Sequence, residues 1–113
     1  MRNLPDWCFT KFDLEGQSNY AFNLILKEKD ESRIIKLREK LEECGIEFRQ
    51  GSAGGGNQIR QPYVRNILKL NESEIKAKFP IVEHIHFYGM YLGNYPEMDR
   101  QSIDFITNAI SSV

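Results

Sequence analysis

Charge of either sign is not in excess in this sequence. Its 113 residues carry 15 basic and 16 acidic side chains, a formal net charge of -1. No overall field therefore draws the chain to a phosphate backbone or an anionic bilayer, and neither nucleic acid nor membrane is expected as a partner. Cysteine is scarce too. Cys8 and Cys44 have neither CxxC spacing nor histidines at ligand spacing, the pattern of two reduced thiols rather than a disulfide or a metal site. Long apolar runs are missing: none approaches the roughly 18 residues of a membrane span, and Met1 to Phe12 lacks the apolar core of a signal peptide. A cytoplasmic address is the resulting expectation.

What is present is an ordinary globular composition, 41% hydrophobic and 27% charged, which argues against wholesale disorder. The length suits one domain with one core. Residues 1–18 read as an irregular lead-in pinned by Trp7, Phe9 and Phe12, with the character of the interior of a longer protein. Residues 19–113 carry the periodic elements. The β-rich run from Tyr20 to Leu26 predicts a strand over 20–27. Asp30 is placed to cap a helix over 31–44, in which Ile34, Leu37, Leu41 and Cys44 recur at spacings of three and four, and Gly45 is placed to end it. Ile46 to Arg49 alternate apolar and charged, predicting a strand over 46–50.

Gly51 to Gly56 contains four glycines in six residues, and Pro62 follows, so a loop is expected there, weakly held because it offers few apolar anchors. A short helix is expected around Ser73 to Lys78. Phe87 to Leu92 reads as a strand with a bend or a close backbone approach at Gly89, and Asn94 to Pro96 as a turn. Ile103, Ile106, Ile110 and Val113 mark a final helix over 99–112. The expected fold class is α+β: a small antiparallel or mixed sheet of three to four strands with helices packed on one face. A ferredoxin-like arrangement is the rival on pattern alone.

The segment Ser52 to Arg60 has the composition to approach an anion, since glycines expose backbone N–H groups and the Arg60 guanidinium can fork onto a phosphate or carboxylate. It lacks the lysine and the serine or threonine of a P-loop, so a plain surface loop remains open beside that reading. His84 and His86 have no nearby acid to complete a ligand set and are read as packing or surface histidines. Phe87, Tyr88, Tyr91 and Tyr95 suit core and edge packing better than base stacking. The basic residues between Arg33 and Lys40 are interleaved with glutamates, as on a solvated helix face.

Three strings, Gly45-Ile46-Glu47-Phe48-Arg49, Gly56-Asn57-Gln58-Ile59-Arg60-Gln61-Pro62 and Gly89-Met90-Tyr91-Leu92-Gly93-Asn94-Tyr95-Pro96, follow one another at spacings that resemble the C-terminal domain of the DegT/DnrJ/EryC1/StrS family of aminotransferases. The Gly-Asn-x-x-Arg-Gln-Pro string is most similar to the branch of nucleotide-sugar 3-dehydratases. The resemblance spans about residues 19–113. It implies the small domain of a homodimeric fold-type I enzyme, in which a large domain binds pyridoxal or pyridoxamine phosphate and the small domain closes over a nucleotide-sugar substrate. The products of such enzymes feed deoxysugar and lipopolysaccharide biosynthesis. By position, the resemblance makes Arg49, Asn57 and Arg60 the candidates for contact with substrate or cofactor phosphate, orienting and neutralising rather than transferring protons.

The family's cofactor lysine, or the histidine that replaces it in the dehydratases, belongs to the large domain, and no lysine of this chain stands in its context. The chain alone is therefore expected to hold no cofactor and to be inactive, a domain fragment of a transferase or dehydratase. Gly54 and Gly55 lengthen the loop relative to the family pattern. A stand-alone binding module that keeps the small-domain fold, or a ferredoxin-like regulatory domain, is the alternative.

Overall fold

Phe22 and Leu24 lie two apart in a strand and so face the same side of a sheet. In the computed structural model, which describes residues 4–13, 15–51 and 56–113, that side is the core. Strand β1 (Ala21–Ile25) pairs antiparallel with β3 (Gly89–Gly93), which pairs antiparallel with the short β2 (Phe48–Arg49). The order is β1-β3-β2. The register sets Phe22 and Phe48 opposite Leu92 and Leu24 opposite Met90, so one face carries these five apolar strand residues together.

Helices α1 (Glu31–Glu43) and α5 (Arg100–Ser111) contribute to the same core. Asp30 caps α1, its carboxylate accepting the Arg33 N–H at 2.9 Å, and Ile34, Leu37 and Leu41 are buried at the expected spacing. At the other end Gly45 takes φ +67°. Its N–H donates to the Glu42 carbonyl at 3.0 Å and that of Ile46 to Leu41 at 2.8 Å, which satisfies the last carbonyls and turns the chain toward β2. Asp99 caps α5 in the same way, accepting from Ser102 at 2.8 Å, and Ile110 is fully buried. Burying side chains such as Leu24, Leu37, Leu41 and Ile110 contributes about 1.5–3 kcal/mol each. The α+β class is as the periodicity implied, and of the antiparallel and mixed sheets it left open the sheet is antiparallel.

Residues 4–9 of the lead-in add Leu4 and Cys8 to this core. Phe9 donates its N–H to Ile25 and Lys27 to Trp7, both at 2.9 Å, so the segment runs along the outer edge of β1. Arg33 covers the Trp7 ring at 5.3 Å.

Between β2 and β3 the chain is more helical than its pattern suggested. A 3-10 turn (Gln58–Arg60) leads into α2 (Pro62–Leu68), then α3 (Glu72–Lys78) and α4 (Pro80–Tyr88). α3 matches the expected short helix and carries a reciprocal capping box between Asn71 and Glu74. α2 has no buried residue and hence no apolar stripe to read. α4 is the larger correction: Phe87 and Tyr88, expected to begin a strand, are its last turn. Gly89 is the junction from helix to strand, and the close backbone approach expected there is present: a Cβ would stand 2.6 Å from the Ile85 carbonyl oxygen. β2 is also shorter than 46–50, because Ile46 is still engaged in ending α1. No helix among the described residues is long and apolar enough to cross a membrane.

Candidate functional site

Pro62 at the start of α2 has no N–H to leave unsatisfied, and the 3-10 turn before it is capped by Asn57, whose side-chain oxygen accepts the Ile59 N–H at 3.0 Å. This local arrangement turns Asn57 and Arg60 toward α4. On that helix Glu83 and His86 are three residues apart and share a face. The Asn57 side-chain amide donates to Glu83 Oε1 at 2.8 Å, and its backbone N–H donates to His86 Nδ1 at 2.9 Å. Asn57 is 1% exposed.

Arg60 meets Glu83 fork to fork: Nε donates to Oε1 and Nη2 to Oε2, both at 2.7 Å. Its outer edge meets Glu72 at the start of α3, through Nη2 at 2.8 Å and Nη1 at 3.3 Å. Arg65 reaches the same Glu72 carboxylate at 3.1 Å. The Phe87 ring lies 4.7 Å from the Arg60 guanidinium carbon. Two guanidiniums and two carboxylates thus form one neutral cluster around a buried glutamate.

The charges follow from these contacts. Hydrogen bonding from Arg60 holds Glu83 below the usual carboxylate range against the opposing effect of burial, and Asn57 adds to it. Glu72 is lowered, first by hydrogen bonding from Arg60. Arg60 is held protonated chiefly by Glu83. Burial, then the Arg60 charge, lowers His86, which fits an imidazole whose Nδ1 is an acceptor. Gly56 closes the site: a Cβ there would stand 2.7 Å from the Gly51 carbonyl carbon and 2.8 Å from His86 Nδ1. No buried side-chain polar atom among the described residues lacks a partner.

Of the three candidate residues, Asn57 and Arg60 are brought together and Arg49 is not bonded to them. Arg49 lies opposite Tyr91 on β2, largely exposed and 3.6 Å from Glu47. It shares with Arg38, Gly51, His86 and Phe87 an open groove of about 650 Å³. A second cleft, about 820 Å³ and also lined by Arg49, runs between Tyr20, Tyr91, Tyr95 and Phe105. The chain matches no family model, no curated protein and no solved structure.

Sequence reasoning passed over Glu83, Glu72 and the bonding role of His86. Glu83 did leave a signal, since it is the only charged residue between Phe79 and Pro96, and an isolated acid in an apolar run needs a partner if it is buried. The pairing of Glu72 with Arg60 and Arg65 left none. Of the segment expected to be a weakly held loop, Ser52 to Gly55 lie outside the described residues, and Asn57 and Arg60 are anchored as above.

Pyridoxal phosphate would need a lysine for its imine and free donors for its phosphate. Every lysine here is exposed or half-buried, and Arg60 has its Nε and Nη2 on carboxylates.

Proposed function

We propose that this chain is the small C-terminal domain of a nucleotide-sugar aminotransferase or 3-dehydratase of the DegT/DnrJ/EryC1/StrS type, acting with a separate large domain that binds pyridoxal or pyridoxamine phosphate. The observation that supports this reading is the convergence of the three strings on which the resemblance rests. The first ends α1 and forms β2; the third forms β3, which pairs with β2; the second is bonded to α4, the helix that runs into β3. The three segments thus form one continuous unit.

In the complete enzyme the cofactor supplies the electron sink, and this domain supplies orientation and charge. Arg49, largely exposed and paired with Glu47 at 3.6 Å, can turn toward a nucleotide sugar across the groove it lines. Arg60 presents its outer edge, and Asn57 acts by holding Arg60 in place. The test is reconstitution: the DNA upstream of Met1 is read for a large cofactor-binding domain, that domain is expressed with and without this chain, and turnover of a nucleotide sugar is measured. Turnover that needs both parts is the expected result. A stoichiometric, borohydride-reducible cofactor adduct on one lysine of this chain alone would overturn the proposal. So would a large domain that neither binds this chain nor changes its turnover when it is added.

A further inference from the structure

We infer that Arg60 and Arg65 form a binding site for a phosphate group, and that Glu72 fills it in this structure as a displaceable internal occupant. The inference deepens the proposed function, on which it rests only for the identity of the molecule carrying the phosphate.

The two edges of Arg60 are held differently. The inner edge, Nε with Nη2, is bonded to Glu83, whose side chain is 7% exposed and also accepts from Asn57. Removing that carboxylate would strand a buried cation and a buried amide, so this half is fixed. The outer edge, Nη1 with Nη2, is bonded to Glu72, whose side chain is 50% exposed. An ion pair with one partner half in water is weak, and Glu72 can exchange it for hydration. Arg65, 40% exposed, converges on the same carboxylate from α2. Phe87 packs against the guanidinium, which limits its movement when Glu72 leaves.

The balance of charge gives the direction. With Glu72 in place, two guanidiniums face two carboxylates; with Glu72 turned away, they face Glu83 alone, a net charge of +1. The vacated position is bounded by Nη1 and Nη2 of one arginine and Nη2 of another, donors whose fork geometry suits a tetrahedral oxyanion. Hydrogen bonding from Arg60 lowers the Glu72 carboxyl. At neutral pH the occupant is therefore ionised and is removed by a competing anion rather than by a proton.

The test uses the full chain, isotopically labelled, with the Nε–H resonances of Arg60 and Arg65 followed during titration with inorganic phosphate, against potassium chloride at equal ionic strength. Glu72→Ala should bind phosphate about tenfold or more tightly than the parent, the effect of returning charge-assisted hydrogen bonds to the ligand. Adding Arg65→Ala should reverse the gain, and chloride should shift neither resonance. Glu72→Ala that is folded by its amide spectrum yet binds phosphate no better than the parent overturns the inference. So does an undiminished gain in the Arg65→Ala background. UDP provides the second arm: tighter binding of UDP than of phosphate supports a nucleotide sugar, whereas equal binding leaves the phosphate site standing and counts against the family reading.

Discussion

The backbone N–H of Asn57 donates to Nδ1 of His86 across 29 positions of sequence at 2.9 Å, and a protonated imidazole has no lone pair with which to accept it. Burial lowers the His86 pKa, the Arg60 charge lowers it further, and Glu83 and Glu72 oppose. The folded state thus binds this proton less readily than the unfolded chain, for which the usual value is about 6.5. Stability from this contact is complete above that value and declines as pH falls through it toward the lowered folded value. Urea midpoints should drop between about pH 7.5 and about pH 5.5. In His86→Asn, whose amide oxygen can accept without titrating, the drop should be smaller. Equal drops in both proteins would remove His86 as the cause.

At the junction of α4 and β3, Gly89→Ala would place a methyl group 2.6 Å from the Ile85 carbonyl oxygen, a backbone atom that cannot swing aside. The expected cost is about 1–3 kcal/mol by chemical denaturation. Gly93→Ala, in the same strand with nothing within 4 Å of its Cβ, is the control and should be neutral or stabilising by about 0.4–1 kcal/mol. A Gly89→Ala protein as stable as the control would mean that the junction is more pliable than its geometry indicates.

The elements legible in the sequence are those that bury one face and leave the other wet. Ile34, Leu37 and Leu41 repeat at helical spacing because α1 covers the sheet, and Phe22 with Leu24 alternate because β1 has one inner face. α4 was illegible for a different reason. Ile81, Ile85 and Tyr88 do fall at helical spacing, but Ile81 and its neighbour Val82 are exposed, and the residue the helix buries most is an acid, Glu83. Phe87 and Tyr88 read instead with the aromatic and apolar residues of β3 as one strand. The site was legible as residues and not as bonds. Asn57 and Arg60 stood out in their string, but Glu83 lies 23 positions beyond Arg60, and no local pattern encodes that pairing.

The two thiols should differ in reactivity. Cys8 is fully buried, its Sγ donates to the Pro5 carbonyl at 3.2 Å, and burial raises its pKa, all of which suppress the thiolate. Cys44, at the end of α1, is half-buried. A disulfide reagent followed by mass spectrometry should modify Cys44 in the native protein and reach Cys8 only at the rate of unfolding. Prompt native labelling of Cys8 would show that the lead-in segment opens from β1 without global unfolding.

Glu83 is the residue whose loss should be felt most. In Glu83→Gln the Arg60 inner edge loses its carboxylate while remaining mostly buried, and the new amide can present a donor to a group that has only donors. Breaking a buried pair from one side costs about 3 kcal/mol or more, less whatever Glu72 recovers by keeping the outer edge. Arg60→Met should cost a similar amount, because it leaves Glu83 ionised with only Asn57 as a donor. The double variant Arg60→Met/Glu83→Gln removes both charges together, so its loss should fall well short of the sum of the two single losses, with a coupling of about 1–3 kcal/mol in a denaturant double-mutant cycle. The same coupling has a sign in pH. Glu83 is held below its usual range by Arg60, so its contribution is present above the unfolded carboxylate value and fades as pH falls through the lowered folded one. The coupling should therefore persist at neutral pH and shrink in acid. Single losses that simply add at neutral pH, within about 0.5 kcal/mol, would show that the two charges do not stabilise each other, and the cluster would lose its claim to anchor the Asn57 to Arg60 turn.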